Sequence, residues 1–265
     1  MNKIQIALII LTSLVFLTAG CQPQPTLAPC PAIQPALVFL DARFNPALGL
    51  LNEAPQAAPN TYWLTNDNAL AAYALAQLGQ KERAVAIQSA LQTYGHTSND
   101  LIEVVWGATV AFPPHVASPE MVDKVGDAEI WQEFHRSGGT FNDWAEYANL
   151  AFLGALNEFN QGHKEEAGAI YSATLAMFDG TGFRDKAFSG QYETYKAALA
   201  LYAGAKLGAP VPNAGQLRQA LLAMQAASGG FYTHYRDWNT PEGDKNTETT
   251  ALALLALKLV GCGTR

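Results

Sequence analysis

The chain has few charges and few cysteines for its length: of 265 residues, 15% are charged and three are Cys. Cations are the scarcer sign, 16 Lys and Arg against 23 Asp and Glu, and they form no cluster. Nucleic-acid binding relies on clustered Lys and Arg to displace phosphate counterions, so that class of partner is excluded. A basic face that would lie on anionic lipid is missing for the same reason. The five His (His96, His115, His135, His163 and His234) are scattered, and no two have the spacing that sets a ligand pair on one helix face. No metal site and no cofactor are therefore expected. There is no Gly-rich phosphate loop and no Ser or Cys nucleophile motif. Residues 179–185, DGTGFRD, lack the alternating oxygens of an EF-hand and read as a turn.

Long apolar runs are scarce too, and the one from Ile4 to Leu17 stands directly behind Lys3. A cation, an apolar middle and a small-residue end make residues 1–20 a signal peptide, shorter than the roughly 20 apolar residues of a good spanning helix. The sequence Leu17-Thr18-Ala19-Gly20-Cys21 resembles the lipobox of bacterial lipoproteins, with Thr18 where Leu is commoner. The resemblance implies cleavage before Cys21, lipid on its sulfur and an extracytoplasmic place at a membrane surface. An ordinary cleaved signal followed by an incidental Cys is the plainer alternative. Gln22 stands where the inner-membrane retention signal would have Asp. Without residues 1–20 the chain has 245 residues and loses Lys3, so its formal charge goes from −7 to −8.

Residues 21–34 carry the lipidated Cys and a tether with four prolines and no charge, extended by composition. One domain, 35–265, follows. Cys30 and Cys262 then remain near its two ends, and in an oxidising compartment a disulfide between them is the simple arithmetic. Two unpaired thiols are the other possibility.

Helical periodicity fills most of the domain, in two alternating forms. The segments 143–159, 195–207 and 248–260 are apolar on most sides, whereas 66–78 has one apolar face and 81–94 and 164–178 carry a single stripe; 217–224 adds a short helix, and 35–52 is expected to contribute another. Helices apolar all round are buried and striped ones lie outside them. Such hairpins predict an all-α fold, an incomplete α/α toroid of inner and outer helices. One short β or irregular excursion is expected near residues 96–117. There Leu101 to Trp106, LIEVVW, reads as a strand, and Ser118-Pro119 beyond it as a helix start.

The tail adds a resemblance. Gln225, then Gly229-Gly230-Phe231, then a Thr-rich start to an Ala/Leu helix is similar to the repeat of the terpenoid-cyclase and protein-prenyltransferase superfamily. The resemblance implies a Gln at an outer helix end bonded into the Gly-Gly-aromatic turn, and an α/α toroid. It implies no reaction. The Asp-x-Asp-Asp motif and the zinc ligands of those enzymes are missing here, and Gly261-Cys262-Gly263 lacks the Gln of a complement-type thioester.

In such a fold the starts of the inner helices converge. Asp67, Asp143, Glu146, Glu193 and Glu248 stand at those starts, with Trp63, Trp144, Tyr192 or Tyr195 beside them, and a loop contributes His234 and Arg236. Aromatic rings stack on sugar faces and carboxylates take hydroxyls or move protons. Asp67, Asp143, Glu146 and Glu193 are thus candidate catalytic acids, and Trp63, Trp144, Tyr195, His234 and Arg236 candidate binding residues. Helix capping explains most of the same acids without any ligand, Asp143 and Glu146 as a capping box. Carbohydrate binding or processing, by a glycoside hydrolase or polysaccharide lyase if by an enzyme, is the function expected. A non-catalytic module for a protein or hydrophobic small molecule, or a terpenoid-type enzyme, are the alternatives.

Overall fold

The computed structural model describes residues 30–54, 62–97, 101–136 and 138–263. The leader, Cys21 and residues 22–29 of the tether lie outside the described residues.

Eight α-helices occur among the described residues: α1 (Ile33–Ala42), α2 (Thr65–Gln77), α3 (Lys81–Thr93), α4 (Ala148–Asn160), α5 (Lys164–Leu175), α6 (Thr194–Leu207), α7 (Ala214–Ala223) and α8 (Thr247–Val260). Four of them, α2, α4, α6 and α8, are buried round most of their circumference. The others each bury one stripe, as in Ala84, Ile87 and Leu91 of α3. Helix α8 packs between α2 and α6, and α4 lies against α6; α1, α3, α5 and α7 back onto α8, α2, α4 and α6 in turn. Burying a Leu fully is worth about 1.5–3 kcal/mol, and Leu252, Leu254, Leu255 and Leu257 make α8 the most apolar contributor to that layer.

The expectation of an all-α toroid is overturned: the chain is mixed α/β, about 49% helical and 17% strand. Three small sheets are present among the described residues. Strands β1 (Phe44–Asn45) and β2 (Leu50–Leu51) form an antiparallel pair. A second sheet has the order β3-β5-β4, from β3 (Tyr62–Leu64), β4 (Ser118–Val125) and β5 (Ala128–Phe134), with β3 and β5 parallel. A third, antiparallel, has β6 (Tyr192–Glu193), β7 (Tyr232–Tyr235) and β8 (Pro241–Lys245).

The physical reason is clearest in β5. Its residues, AEIWQEF, alternate strictly between buried and half-exposed, which is the two-residue period of a strand. Gly126, in the left-handed region at φ +61°, turns the chain between β4 and β5. Ser118-Pro119 therefore opens a strand instead of a helix, and the Pro is tolerated because β4 is an edge. Leu101–Trp106, in turn, is a 3-10 turn packed against α2 and α4 and not a strand. The β structure is also not confined to residues 96–117, because short strands lead directly into α2, α6 and α8.

Two features tie the chain ends to this body. The Cys30–Cys262 disulfide, with Cα atoms 4.9 Å apart and 232 residues between its halves, joins the segment before α1 to the end of α8. A loop of that length corresponds to about 5 kcal/mol of chain entropy removed from the unfolded state. The Gly-Gly turn after α7 receives the start of α1: a Cβ on Gly229 would lie 2.0 Å from the Pro35 carbonyl oxygen, and one on Gly230 would lie 2.5 Å from the Phe39 ring. Gln225 Nε2 donates to Gly229 O at 2.9 Å and to Ala32 O at 2.8 Å, so its side chain closes the turn and anchors α1 together. Among the described residues, no helix is long and apolar enough to cross a membrane.

Candidate functional site

Helices α2, α4, α6 and α8 start at a common end, and the bonds among their first residues show it. Thr247 of α8 donates its backbone N–H to Glu53 O and its hydroxyl to Asn52 O, at 3.0 and 2.8 Å. Asn68 of α2 accepts from Leu51 N–H and donates to Leu51 O and Leu64 O, so α2 holds the same 50–54 segment. Asp185 Oδ2 accepts the first N–H of α4, from Ala148, at 2.7 Å, and the ammonium of Lys196 of α6 at 2.6 Å.

The N-cap positions of these helices are filled in different ways. Leu64 and Glu193 are the N-cap residues of α2 and α6, and neither side chain takes a first-turn N–H. Helix α8 is capped by Asn246, whose Oδ1 accepts from Thr249 N–H at 2.9 Å. The capping box of Asp143 and Glu146 does not form, because α4 begins only at Ala148 and Asp143 caps nothing.

Asp67 meets a partner that no motif announced. It lies beside the Glu53 carboxyl group, and the two residues are 8% and 6% exposed. Burial is the largest cause pushing Glu53 up to about 7, and the nearby charge of Glu248 adds to it; Asp67, Arg43 and Asn246 act in the opposite sense. Arg43 spends two of its donors on the backbone, Nε on Asn52 O and Nη2 on Glu53 O, and so fixes the segment more than it neutralises the acid. Glu53 Oε2 is buried without a hydrogen-bond partner. Beside this segment a cavity of about 440 Å³ opens between Arg43, Phe44, Asn45, Asn52 and Trp63.

Glu193 belongs to an adjoining group. It forms an ion pair with Lys196, which is 2% exposed and shared with the fully buried Asp185. The Tyr195 hydroxyl donates to Glu193 Oε2 at 3.1 Å. Burial, followed by the charges of Glu193, Glu248 and Asp185, pushes the Tyr195 phenol well above its usual range, so it remains a donor. Glu248 thus acts electrostatically on both Glu53 and Tyr195, and joins the two groups into one acid-rich end. His234 is paired with Glu193 across β6 and β7, which sets their side chains on one face of the sheet. Its Nδ1 lies 2.9 Å from Thr233 Oγ1.

The remaining candidates lie elsewhere. Asp143 and Glu146 both pair with Lys186 at the surface, Glu146 being 61% exposed there. Lys186 is raised by these two hydrogen-bonded carboxylates, and Asp143 is lowered by the same contact. Trp63 is buried, with its ring at the edge of the cavity, and offers no open stacking face. Trp144 packs edge-on to Phe112, with centroids 5.1 Å apart, and over Gly154 of α4, where a Cβ would come within 2.6 Å of the ring. Arg236 is an exposed partner of Glu242 at 2.6 Å. Glu158, His163 and Glu166 bring potential metal-ligand atoms within 4.8 Å of one another at the α4–α5 turn, and there His163 Nδ1 pairs with Glu158 Oε2 at 2.7 Å.

Sequence reasoning passed over Glu53, Asp185 and Lys196. Glu53 had one signal, an acid two residues past the stretch Leu48–Leu51. Lys196 had a stronger one: a lone cation near the start of a helix otherwise apolar all round requires a buried partner. No known protein family, curated protein or solved structure matches the chain.

Proposed function

We propose that this chain is a lipid-anchored extracytoplasmic protein that binds and hydrolyses carbohydrate at the end where α2, α6 and α8 begin. One observation carries the reading: Glu53, Asp67, Glu193 and Glu248 gather there, around Tyr195 and Lys196. Acids in different environments, a buried one raised toward neutral pH beside an ion-paired carboxylate, are what hydrolysis of a glycosidic bond uses. The negative charge of this end favours neutral or amino sugars and repels uronates, which puts a hydrolase ahead of a polysaccharide lyase. With Trp63 and Trp144 packed away, Tyr195 and His234 are the rings nearest the acids and the better candidates for sugar contact. The lipid on Cys21 supplies the address, and the Cys30–Cys262 disulfide suits an oxidising compartment.

The test uses the full chain, purified in a detergent without a sugar headgroup. It is applied to an array of neutral, amino and acidic glycans and to a reducing-end assay on the same sugars. Release of reducing ends from neutral or amino glycans, abolished in Glu193→Gln, is the expected result. Binding without release would make the chain a recognition module, and neither binding nor release would end the carbohydrate reading.

A further inference from the structure

We infer that the cavity walled by α2, α3 and the Leu101–Trp106 turn is a sugar subsite. It takes one neutral pyranose ring against Trp106 and Tyr73, with Gln88, Gln92, His96 and Glu103 supplying hydrogen bonds to the hydroxyls. The inference rests on the carbohydrate reading for the class of ligand, and adds a sugar contact apart from Tyr195 and His234.

Helical spacing brings these side chains together. Ala69 and Tyr73 share a face of α2 at i and i+4, and Gln88, Leu91 and Gln92 share one of α3. Glu103 and Trp106 stand at i and i+3 of a 3-10 turn, where such positions eclipse. All of them line one cavity of about 400 Å³, within the range of small-molecule sites. Tyr73 and Trp106 form its apolar wall, with ring centroids 5.7 Å apart and planes tilted by 41°. The walls are held from behind. Buried Gln132 of β5 donates Nε2 to Thr97 O at 2.8 Å and fixes the segment that carries His96. Asn160 donates to Val104 O and Ala108 O, both at 2.9 Å, and the Tyr202 hydroxyl to Val105 O at 2.6 Å. A cavity with fixed walls loses little freedom when a ligand enters. His96 Nδ1 lies 3.0 Å from Thr65 Oγ1, which sets the cavity rim beside the first turn of α2, the helix start that carries Asp67.

The lining selects the ligand. None of the eight lining residues is Lys or Arg, and one is Glu103, 5% exposed, so phosphate, sulfate and uronate are disfavoured. Four of the eight are polar, and an isoprenoid or fatty chain would strip water from them and return no hydrogen bond. Burial lowers His96, so near pH 7 its ring is neutral, with one donor and one acceptor nitrogen. With two primary amides and a carboxyl group beside it, the cavity offers donors and acceptors alike. Hydroxyls use both, whereas an ammonium ion only donates or, if quaternary, does neither.

The experiment is saturation-transfer NMR of the full chain, in the same detergent. The probes are methyl glucoside, methyl N-acetylglucosaminide, methyl glucuronide and tetramethylammonium. We expect transfer to the ring C–H protons of the neutral sugars and none to the glucuronide. Trp106→Ala should weaken that binding about tenfold or more. Gln88→Ala/Gln92→Ala should weaken it about fivefold or more. Both glutamines are exposed on α3 and Ala suits a helix, so this variant keeps the fold and decides alone if Trp106→Ala does not fold. Binding of neutral sugars unchanged in either folded variant overturns the inference and leaves the carbohydrate reading standing, with the sugar elsewhere. Glucuronide bound as well as the neutral sugars, or tetramethylammonium bound in their place, overturns it too. Transfer to no probe, with reducing ends still released from longer glycans, removes the subsite alone. Neither binding nor release removes the subsite and the carbohydrate reading together.

Discussion

Two groups of carboxylates stand near helix starts in this chain, and their surroundings treat them in opposite ways. Asp143 and Glu146 lie at the surface around Lys186, where water and salt screen every interaction they make. Glu53, Asp67, Glu193 and Asp185 lie within a drier end of the helix layer, where burial raises Glu53 and the ammonium of Lys196 holds Glu193 and Asp185. The residue types are the same, and so is their nearness to a helix start. Solvent decides which group is able to perturb protonation and which is only an ion pair.

The largest effect should come from removing the buried cation. Lys196→Met leaves the fully buried Asp185 carboxylate with two backbone N–H donors, from Ala148 and Ala187, and takes the ion pair from Glu193. Deleting one partner of a buried pair typically destabilises by about 3–5 kcal/mol. Denaturant unfolding of the single variant and of Lys196→Met/Asp185→Asn measures it, the double variant recovering part of the loss. A loss below about 1 kcal/mol in the single variant would put this pair in the screened class of surface bridges.

A smaller effect, with a sign, belongs to Glu53. Its folded-state value is raised from 4.5 to about 7. Below the unfolded value both states carry the proton, and the contribution to stability is complete. As pH rises toward 7 the unfolded chain has lost the proton and the folded one retains it, so stability falls; above 7 the loss is complete. At about 1.4 kcal/mol per unit this comes to roughly 3 kcal/mol. His96, lowered by burial, titrates in a neighbouring window with the opposite slope. The informative quantity is therefore the difference between the unsubstituted chain and Glu53→Gln, from urea midpoints at about pH 5 and about pH 8. Identical pH slopes in the two proteins would show that Glu53 ionises as freely as a surface acid.

The helices were legible because burial imposes a period on sequence: the all-round apolar character of 195–207 and 248–260 and the single stripe of 81–94 each correspond to a helix. The sheets were not, because most of their strands are two to five residues long and too short to display a period. The one strand with a clear alternation, 128–134, was obscured by the Ser-Pro pair upstream. For the site, position along the chain located Asp67, Glu193 and Glu248, while Glu53 required knowledge of where the 50–54 segment folds back. The aromatic residues misled for a related reason. A Trp beside an acid in sequence can turn its ring inward: Trp63 is buried and Trp144 is half-buried against Phe112.

The smallest effect is the one that separates the two groups most cleanly. Asp143→Asn with Glu146→Gln removes both partners of Lys186, yet the ammonium stays hydrated and the ring of Tyr147, 5.8 Å away, still faces it. No helix cap is lost, because Asp185 supplies the bond to Ala148 N–H. The thermal midpoint should therefore stay within the scatter of replicate scans, and any hydrolysis of sugar should keep its rate and pH profile. A fall in rate comparable to that of Glu193→Gln would bring Asp143 and Glu146 back as site residues. It would also mean that Lys186, and not burial, is what tunes the acids of this protein.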